Sequence, residues 1–504
     1  MKVMLLSWLL AFGTLCVYGQ KQDYDILKYG AKPGMSINNQ IAIQKAIDAA
    51  SKTGGRVVVP AGNFVTAPVH MKSSVELYLA PDAILYGSTN RLDYSENAMA
   101  VIRAQGVHDI AITGKGTING QGRDVVENFL ELLRAGKLTD DQYLNKRPSE
   151  FGRPNIIYFI DCERVKVTGV TLRNAASWVQ DYKQCKDIVI DSIKVHSNEY
   201  WNNDGIDIVD CKNVKITNSI FNAADDAICI KSETRGQICE NVWIENCVAR
   251  SSANGFKIGT GSLGGFKNIT VKNLTVYDTY RSAVAIETVD GGSLQDVHVS
   301  HVRGINTGNA IFIRLGHRNN DEVYSTISNV SIDDIKVEVP SGKPDIGYPV
   351  EGPPPKVAPH NLVPASITGL PGHRVQNVSI SNVEISYGGG AKREVAHIGI
   401  DSLSSVTENA AGYPEFTMFG ELPAWALYIR HAEDIKISNF KVALKGPDFR
   451  PALVFDDVWG LTLQKAYLPL TAPTPAIVYK NTGKIISKDI ALPQGNQSVV
   501  TLEK

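Results

Sequence analysis

The chain has 504 residues, with 51 Lys and Arg against 52 Asp and Glu and a formal net charge of -1. A balance so close to neutral leaves no broad positive field to steer the protein to nucleic acid, and no nucleic-acid partner is expected. Gly 43 and Pro 23 are ordinary counts, which argues against a disordered or collagen-like chain.

The opening residues, MKVMLLSWLLAFGTLCVYGQ, pair a positive start at Lys2 with an apolar run from Val3 to about Leu15 and a small residue at Gly19. That order reads as a cleaved export signal over 1–19, which implies a periplasmic or secreted protein. The run is short for a bilayer span, and no later segment is apolar enough to cross, so no membrane insertion is expected after cleavage. Segment 20–54 follows. Within it, Asn39 and QIAIQKAIDAASKTGG place Ile43, Ala46, Ile47 and Ala50 on one helical face and Gly54-Gly55 at the stop. Such a helix suits the open end of an apolar solenoid, which has to be covered.

From residue 55 onward the texture changes to short runs of Ile, Val and Phe alternating with polar residues, broken by Asn, Asp and Gly. Units beginning at 154, 179, 202, 225, 253, 281 and 309 repeat with a period of 23 to 28 residues. Alternation over so few residues means strand, and the fixed period means a solenoid. Four antiparallel strands per unit do not fit this length. The expected fold is therefore all-β: a single-stranded right-handed parallel β-helix over 55–504, capped by the N-terminal helix. Two stretches break the pattern, the charged 123–153 and the Pro-rich 340–372, and both are expected to be long loops of functional weight.

In a parallel β-helix, position within a unit predicts a vertical column with a spacing of about 4.8 Å. Cys162, Cys185, Cys211 and Cys239 share one column, either as a stack of small buried side chains or, at that spacing, as disulfides. Asn213, Asn241 and Asn268 share another, at a turn, and read as a structural ladder. Gly205-Ile206-Asp207-Ile208 aligns with Ala227-Ile228-Cys229-Ile230, then with Gly255-Phe256-Lys257-Ile258 and Ala283-Val284-Ala285-Ile286. The residues just before these blocks are Asp204, Asp226, Asn254 and Ser282, and Asp225 precedes Asp226. Three carboxylates thus gather within about two coil spacings. They cannot all ionise easily, so at least one stays protonated beside ionised partners, the combination that glycosidic hydrolysis uses. Calcium binding and plain turn formation are the competing readings of the same Asp residues. Lys231, Lys257 and Arg314 fall in outward columns on the same face, where they are expected to hold a substrate carboxylate.

At these residues the sequence resembles glycoside hydrolase family 28, the polygalacturonases and rhamnogalacturonan hydrolases. Asn202-Asn203-Asp204 matches its N-x-D motif and Asp225-Asp226 its D-D motif, within DDAICIKS. The resemblance implies an inverting hydrolase without metal or cofactor, acting on an acidic pectin-type poly- or oligosaccharide. Asp225 would be the acid, with Asp204 and Asp226 on the base side. The G-H-G slot instead reads Ala253-Asn254-Gly255 and the R-I-K slot Ala285-Ile286-Glu287, so the family's histidine and both cations are absent. Lys257 and Arg314 would then take over the cations' part from neighbouring coils, with Asn202, Lys231, Asn254 and Glu287 also on the substrate and the chain acting as a monomer. The alternatives are a β-helix polysaccharide lyase and a non-catalytic carbohydrate-binding solenoid.

Overall fold

The structure is a computed structural model, and residues 22–95, 99–143, 147–469, 473, 475–492 and 498–502 are described. The expected export signal, 1–19, lies outside the described residues. Among the described residues no helix is long and apolar enough to cross a membrane.

The chain winds into a right-handed parallel β-helix, with every named strand pairing parallel to its neighbours one coil above and below. Three faces recur. The first carries Asn155–Ile160, Gln180–Lys183, Asp207–Val209 and Ile228–Ser232. The second carries Glu163–Thr168, Lys186–Asp191 and Lys212–Thr217, and the third Thr171–Arg173, Lys194–Ser197 and Ile220–Ala223. Later coils run through several faces as one long strand, such as Gly265–Thr288 against Ser293–Leu315. Register follows the alignment of apolar residues. Ile208 pairs Ile230, Ile230 pairs Ile258 and Ile258 pairs Ile286, all fully buried. A slip of one residue would turn this whole row out of the core, which is what fixes the register.

The turns explain the asparagines. Asn213, Asn241 and Asn268 all have φ between 54° and 58°, a left-handed conformation that Asn tolerates better than most residues. Asn241 donates to Asn213 at 3.0 Å and Asn268 to Asn241 at 2.7 Å, so the column is a ladder. A second ladder, unmarked in the sequence reading, runs Asn218, Asn246, Asn273 at the next corner. The four-cysteine column is buried and its thiols are free. The Cys185 and Cys211 Sγ atoms face the Phe159 and Tyr182 carbonyls of the preceding coil at 3.4 and 3.1 Å.

At the N-terminal end, α1 (Gln40–Ala50) buries Ala42, Ile43, Ala46, Ile47 and Ala50, and Gly54, at φ 73°, closes it by donating to the Ala50 carbonyl. Segment 20–54 does more than cap. Asp23–Asp25 pairs with Arg56–Val59, so the first coil begins before the helix. The 123–153 stretch is not a loop throughout either. Gly122–Arg134 is a helix, α2, because Val125, Val126, Phe129 and Leu132 form an apolar stripe, and all four are buried. The Pro-rich insertion ends at 364, where Ala365–Thr368 rejoins the first face. A third insertion, 388–426, also leaves the coils, and it folds back over the first face.

Candidate active site

The motif residues stack because each coil bonds to the next at this corner. The Gly205 N–H donates to the Asp226 carbonyl at 2.8 Å, Ala227 to Asn254 at 2.9 Å and Gly255 to Ser282 at 3.0 Å. Gly205 permits the approach, since a Cβ there would lie 2.4 Å from the Ala227 carbonyl oxygen. Asp204, Asp226 and Asn254 therefore form one column, with Asp225 beside it.

The outward columns do not face open solvent as expected. Asp204 is 4% exposed, Asp226 3% and Lys257 1%. The insertions cover them. The hydroxyl of Tyr413, from 388–426, accepts a hydrogen bond from Lys257 Nζ at 3.1 Å. Trp178, two coils before Lys231, lies 3.6 Å from Lys231 Nζ across its ring face. Asp225 alone of the three carboxylates is partly exposed.

Two cations hold the cluster together. Lys257 Nζ is 3.0 Å from Asp226 Oδ2, and Asn254 donates to Asp226 Oδ1 from its side chain at 2.8 Å and its backbone at 3.1 Å. Burial raises the Asp226 carboxyl, but Lys257, Arg281 and these hydrogen bonds outweigh it and hold it below the ordinary range. Lys231 lies 2.5 Å from Asp207 and 3.2 Å from Asp204. One ammonium cannot neutralise two buried carboxylates. Burial, aided by Asp207, drives Asp204 well up, and burial lifts Asp207 to about 6 against the pull of Lys231. Asp225 is raised by burial and then by the Asp226 charge. One partly exposed carboxyl held above the ordinary range thus sits next to one held below it.

Several expected substrate contacts are engaged elsewhere. The Arg314 guanidinium donates to the carbonyls of Gly369 at 3.1 Å, Glu408 at 2.7 Å and Asn409 at 3.3 Å, so it anchors the 388–426 insertion. Lys231 and Lys257 are tied to carboxylates. The Asn202 side chain accepts from Arg153 at 2.6 Å and from Arg147. Asn254 is bonded to Asp226. Glu287 is fully buried, its oxygens have no hydrogen-bond partner among the described residues, and Lys257 Nζ is 4.0 Å away. Burial pushes its carboxyl up to about 8. These residues were placed correctly in their columns, but the columns are roofed over, and a roofed cation pairs with the nearest anion.

Two residues of the site carried no assigned role in the sequence. Asp207 was aligned in an outward column and is in fact the closest partner of Lys231. Asp204, Asp207 and Cys229 bring possible ligand atoms within 4.8 Å of one another, but the Lys231 ammonium already lies between the two carboxylates. Arg281 occupies the Asp225 column two coils on, and that position was its only signal. No hydrogen bond or ion pair of its guanidinium is found among the described residues. It faces a cavity of about 420 Å³ with Tyr413, Lys356 and Glu415. Burial lowers its pKa, but Tyr413, Asp225 and Glu415 raise it by more, so it stays charged.

Comparison with known proteins agrees with this fold. Residues 50–351 match Glycosyl hydrolases family 28. An exo-poly-alpha-D-galacturonosidase of Dickeya chrysanthemi is 25% identical over 319 residues, covering 53% of this chain and 53% of that protein. The chain thus spans about half the length of that relative. Among solved structures, an exopolygalacturonase from Thermotoga maritima gives a TM-score of 0.56 at 21% identity, covering 83% of this chain and 93% of the other. A family 28 exopolygalacturonase from Yersinia enterocolitica gives 0.60 at 17% identity, covering 86% and 78%. These two share the fold. The match to the family runs through every coil that carries the carboxylates, and the chain belongs to glycosyl hydrolases family 28.

Proposed function

We propose that this protein hydrolyses glycosidic bonds next to galacturonate in a pectin-type polysaccharide or its oligosaccharides, with inversion. The observation that carries the reading is the geometry of the pair: Asp225, partly exposed and raised by burial, beside Asp226, which Lys257 at 3.0 Å and Asn254 hold below the ordinary range. Asp225 protonates the leaving oxygen. Asp226 draws the proton from the attacking water on the other side of the sugar, and Asp204, one coil back in the same column, stands beside it. Arg281 takes the substrate carboxylate, since its charged fork is free and suits a bidentate contact. The missing cations of the R-I-K slot are replaced by Arg281 rather than by Lys257 and Arg314, which are already paired.

Chain-end action is part of the proposal. The insertions 340–364 and 388–426 roof the later coils, which favours a pocket over a through-running cleft, and the relatives named above are exo-acting by name. Export by the 1–19 signal and a monomeric state complete it. The test is incubation of the purified protein with homogalacturonan and rhamnogalacturonan oligosaccharides, with product size and anomeric configuration followed by NMR. We expect new saturated reducing ends of inverted configuration, and a fall of at least about 100-fold in kcat for Asp225→Asn. Unsaturated, ultraviolet-absorbing products would mean a lyase. Unchanged turnover in Asp225→Asn would remove the acid from its role.

A further inference from the structure

Within the insertion 388–426, residues 406–413 form a strap that is fastened to the coils along its length. The Val406 carbonyl accepts from Arg430 at 2.7 Å, the Glu408 carbonyl from Arg314 at 2.7 Å and the Ala410 carbonyl from the His317 N–H at 2.8 Å. At the far end, the Tyr413 hydroxyl accepts from Lys257 at 3.1 Å. Arg314 and Arg430 share one outward column, two coils apart with Thr368 between them. Lys257 lies on the coil two before Arg314. The strap therefore runs back along the helix axis, from the Arg430 coil past Arg314 to Lys257. Its residues Asn409, Gly412 and Tyr413 wall the cavity that Arg281 faces.

Glu408 is the only charged residue of the strap. Its Oε1 lies 2.8 Å from Arg430 and 3.0 Å from Nε2 of His431, whose Nδ1 lies 2.7 Å from Asp457 Oδ2. Asp457 is paired in turn with Arg374 at 2.7 Å. Arg430 also faces Asp456 at 3.4 Å, and Lys480 approaches Asp456 at 3.7 Å. Burial raises the Glu408 carboxyl, but the hydrogen bond from His431 and then the charges of His431, Arg430 and Arg314 outweigh it and hold it below the ordinary range. Among the described residues Glu408 has no contact with Asp204, Asp225 or Asp226. A backbone carbonyl can turn to water or to a neighbouring donor. A carboxylate set between a guanidinium and an imidazole is satisfied in one geometry, so it fixes where the strap sits.

Resting on the hydrolase reading above, we infer that Glu408 is a positioning residue: its clasp on Arg430 and His431 holds the strap 406–413 in place, and with it Tyr413 against Lys257 and across the Arg281 cavity. Loosening the clasp leaves Asp225 and Asp226 on their coils but slackens the wall of the cavity that takes the uronate. The cost falls on KM more than on kcat.

The test is Glu408→Gln in the purified full-length protein, read by hydrogen exchange and by steady-state kinetics on galacturonate oligosaccharides at neutral pH. Protection of 406–413 should fall at least about tenfold with the coil strands unchanged, and KM should rise at least about fivefold with kcat within about twofold. Acidification of the unaltered protein gives a second measurement, which decides the clasp even where the variant fails to fold. Because the Glu408 carboxyl is depressed, the clasp is present above the ordinary value of 4.5 and is lost as pH falls through the folded pKa. Protection of 406–413 should then fall ahead of the coils, and Glu408→Gln should show no such step. Unchanged protection in Glu408→Gln, or no acid step in the unaltered protein, overturns the inference. A fall in protection with unchanged KM makes the clasp structural only and overturns the positioning role. No cleavage by the unaltered protein overturns the hydrolase reading, while the exchange measurements still decide the clasp.

Discussion

Replacing Lys257 with Met keeps the length of the side chain and removes its charge. Lys257 and Asp226 are 3.0 Å apart with side chains 1% and 4% exposed, so water cannot make good the loss. Breaking one side of a buried pair costs about 3–5 kcal/mol while the orphan stays charged. Asp226 keeps its two hydrogen bonds from Asn254, and its escape is to take up a proton. The sign of the pH dependence follows. In the native protein the Asp226 carboxyl is depressed, so its contribution is present above the ordinary carboxylate value of 3.8 and is lost as pH falls through the folded pKa. In Lys257→Met the same carboxyl is raised, and stability is lost as pH rises through the new value. We expect urea denaturation at pH 7 to give a loss of about 3–5 kcal/mol, smaller at pH 5 by at least about 1.4 kcal/mol, one pKa unit's worth. The double variant with Asp226→Asn should recover most of the stability and none of the activity, since it removes both partners of the pair. A loss below about 1 kcal/mol at pH 7, or one that is the same at pH 5 and pH 8, would refute the claim that this pair holds the base ionised.

Arg281→Leu should raise KM for acidic oligosaccharides tenfold or more, the scale of a lost charge-assisted hydrogen bond of about 1.5–3 kcal/mol, with little change in thermal midpoint; steady-state kinetics and calorimetry check both halves. Glu287 is raised to about 8 by burial, so the folded state favours its neutral form and stability falls as pH rises from 4.5 to 8. Glu287→Gln should flatten that fall and leave the variant more stable at pH 8 by about 1–3 kcal/mol, read from urea midpoints at pH 5 and pH 8. Asn241→Ala breaks two rungs of a ladder and puts a Cβ that lacks polar compensation at φ 58°, for a loss of about 1–2 kcal/mol. Asn241→Gly, which relieves the backbone term, should lose less in the same denaturation series.

The coils and their register were legible in the chain because a parallel β-helix turns sequence period directly into vertical neighbours. Ile206, Ile228 and Phe256 alternate with polar residues, only one register buries them all, and that register stacks Asp204 on Asp226. The asparagine ladder was legible for the same reason. The helix α2 was not, because 123–153 has no strand period and its apolar stripe is set among charges. The insertion 388–426 left a trace only as a gap between two coil-like segments.

What sequence alone determined about this protein is the repeat, and with it which side chains share a column; local alternation and turn chemistry are enough for that. Whether a column faces water or a lid was decided by tertiary structure. Tyr413 reaches Lys257 across 156 residues and Glu408 meets Arg314 across 94, and no period encodes such contacts. Once those segments close over the face, loss of solvent makes every charge seek its nearest opposite. That is why Lys257 and Arg314 are bound within the protein while the Arg281 guanidinium keeps no hydrogen bond or ion pair among the described residues.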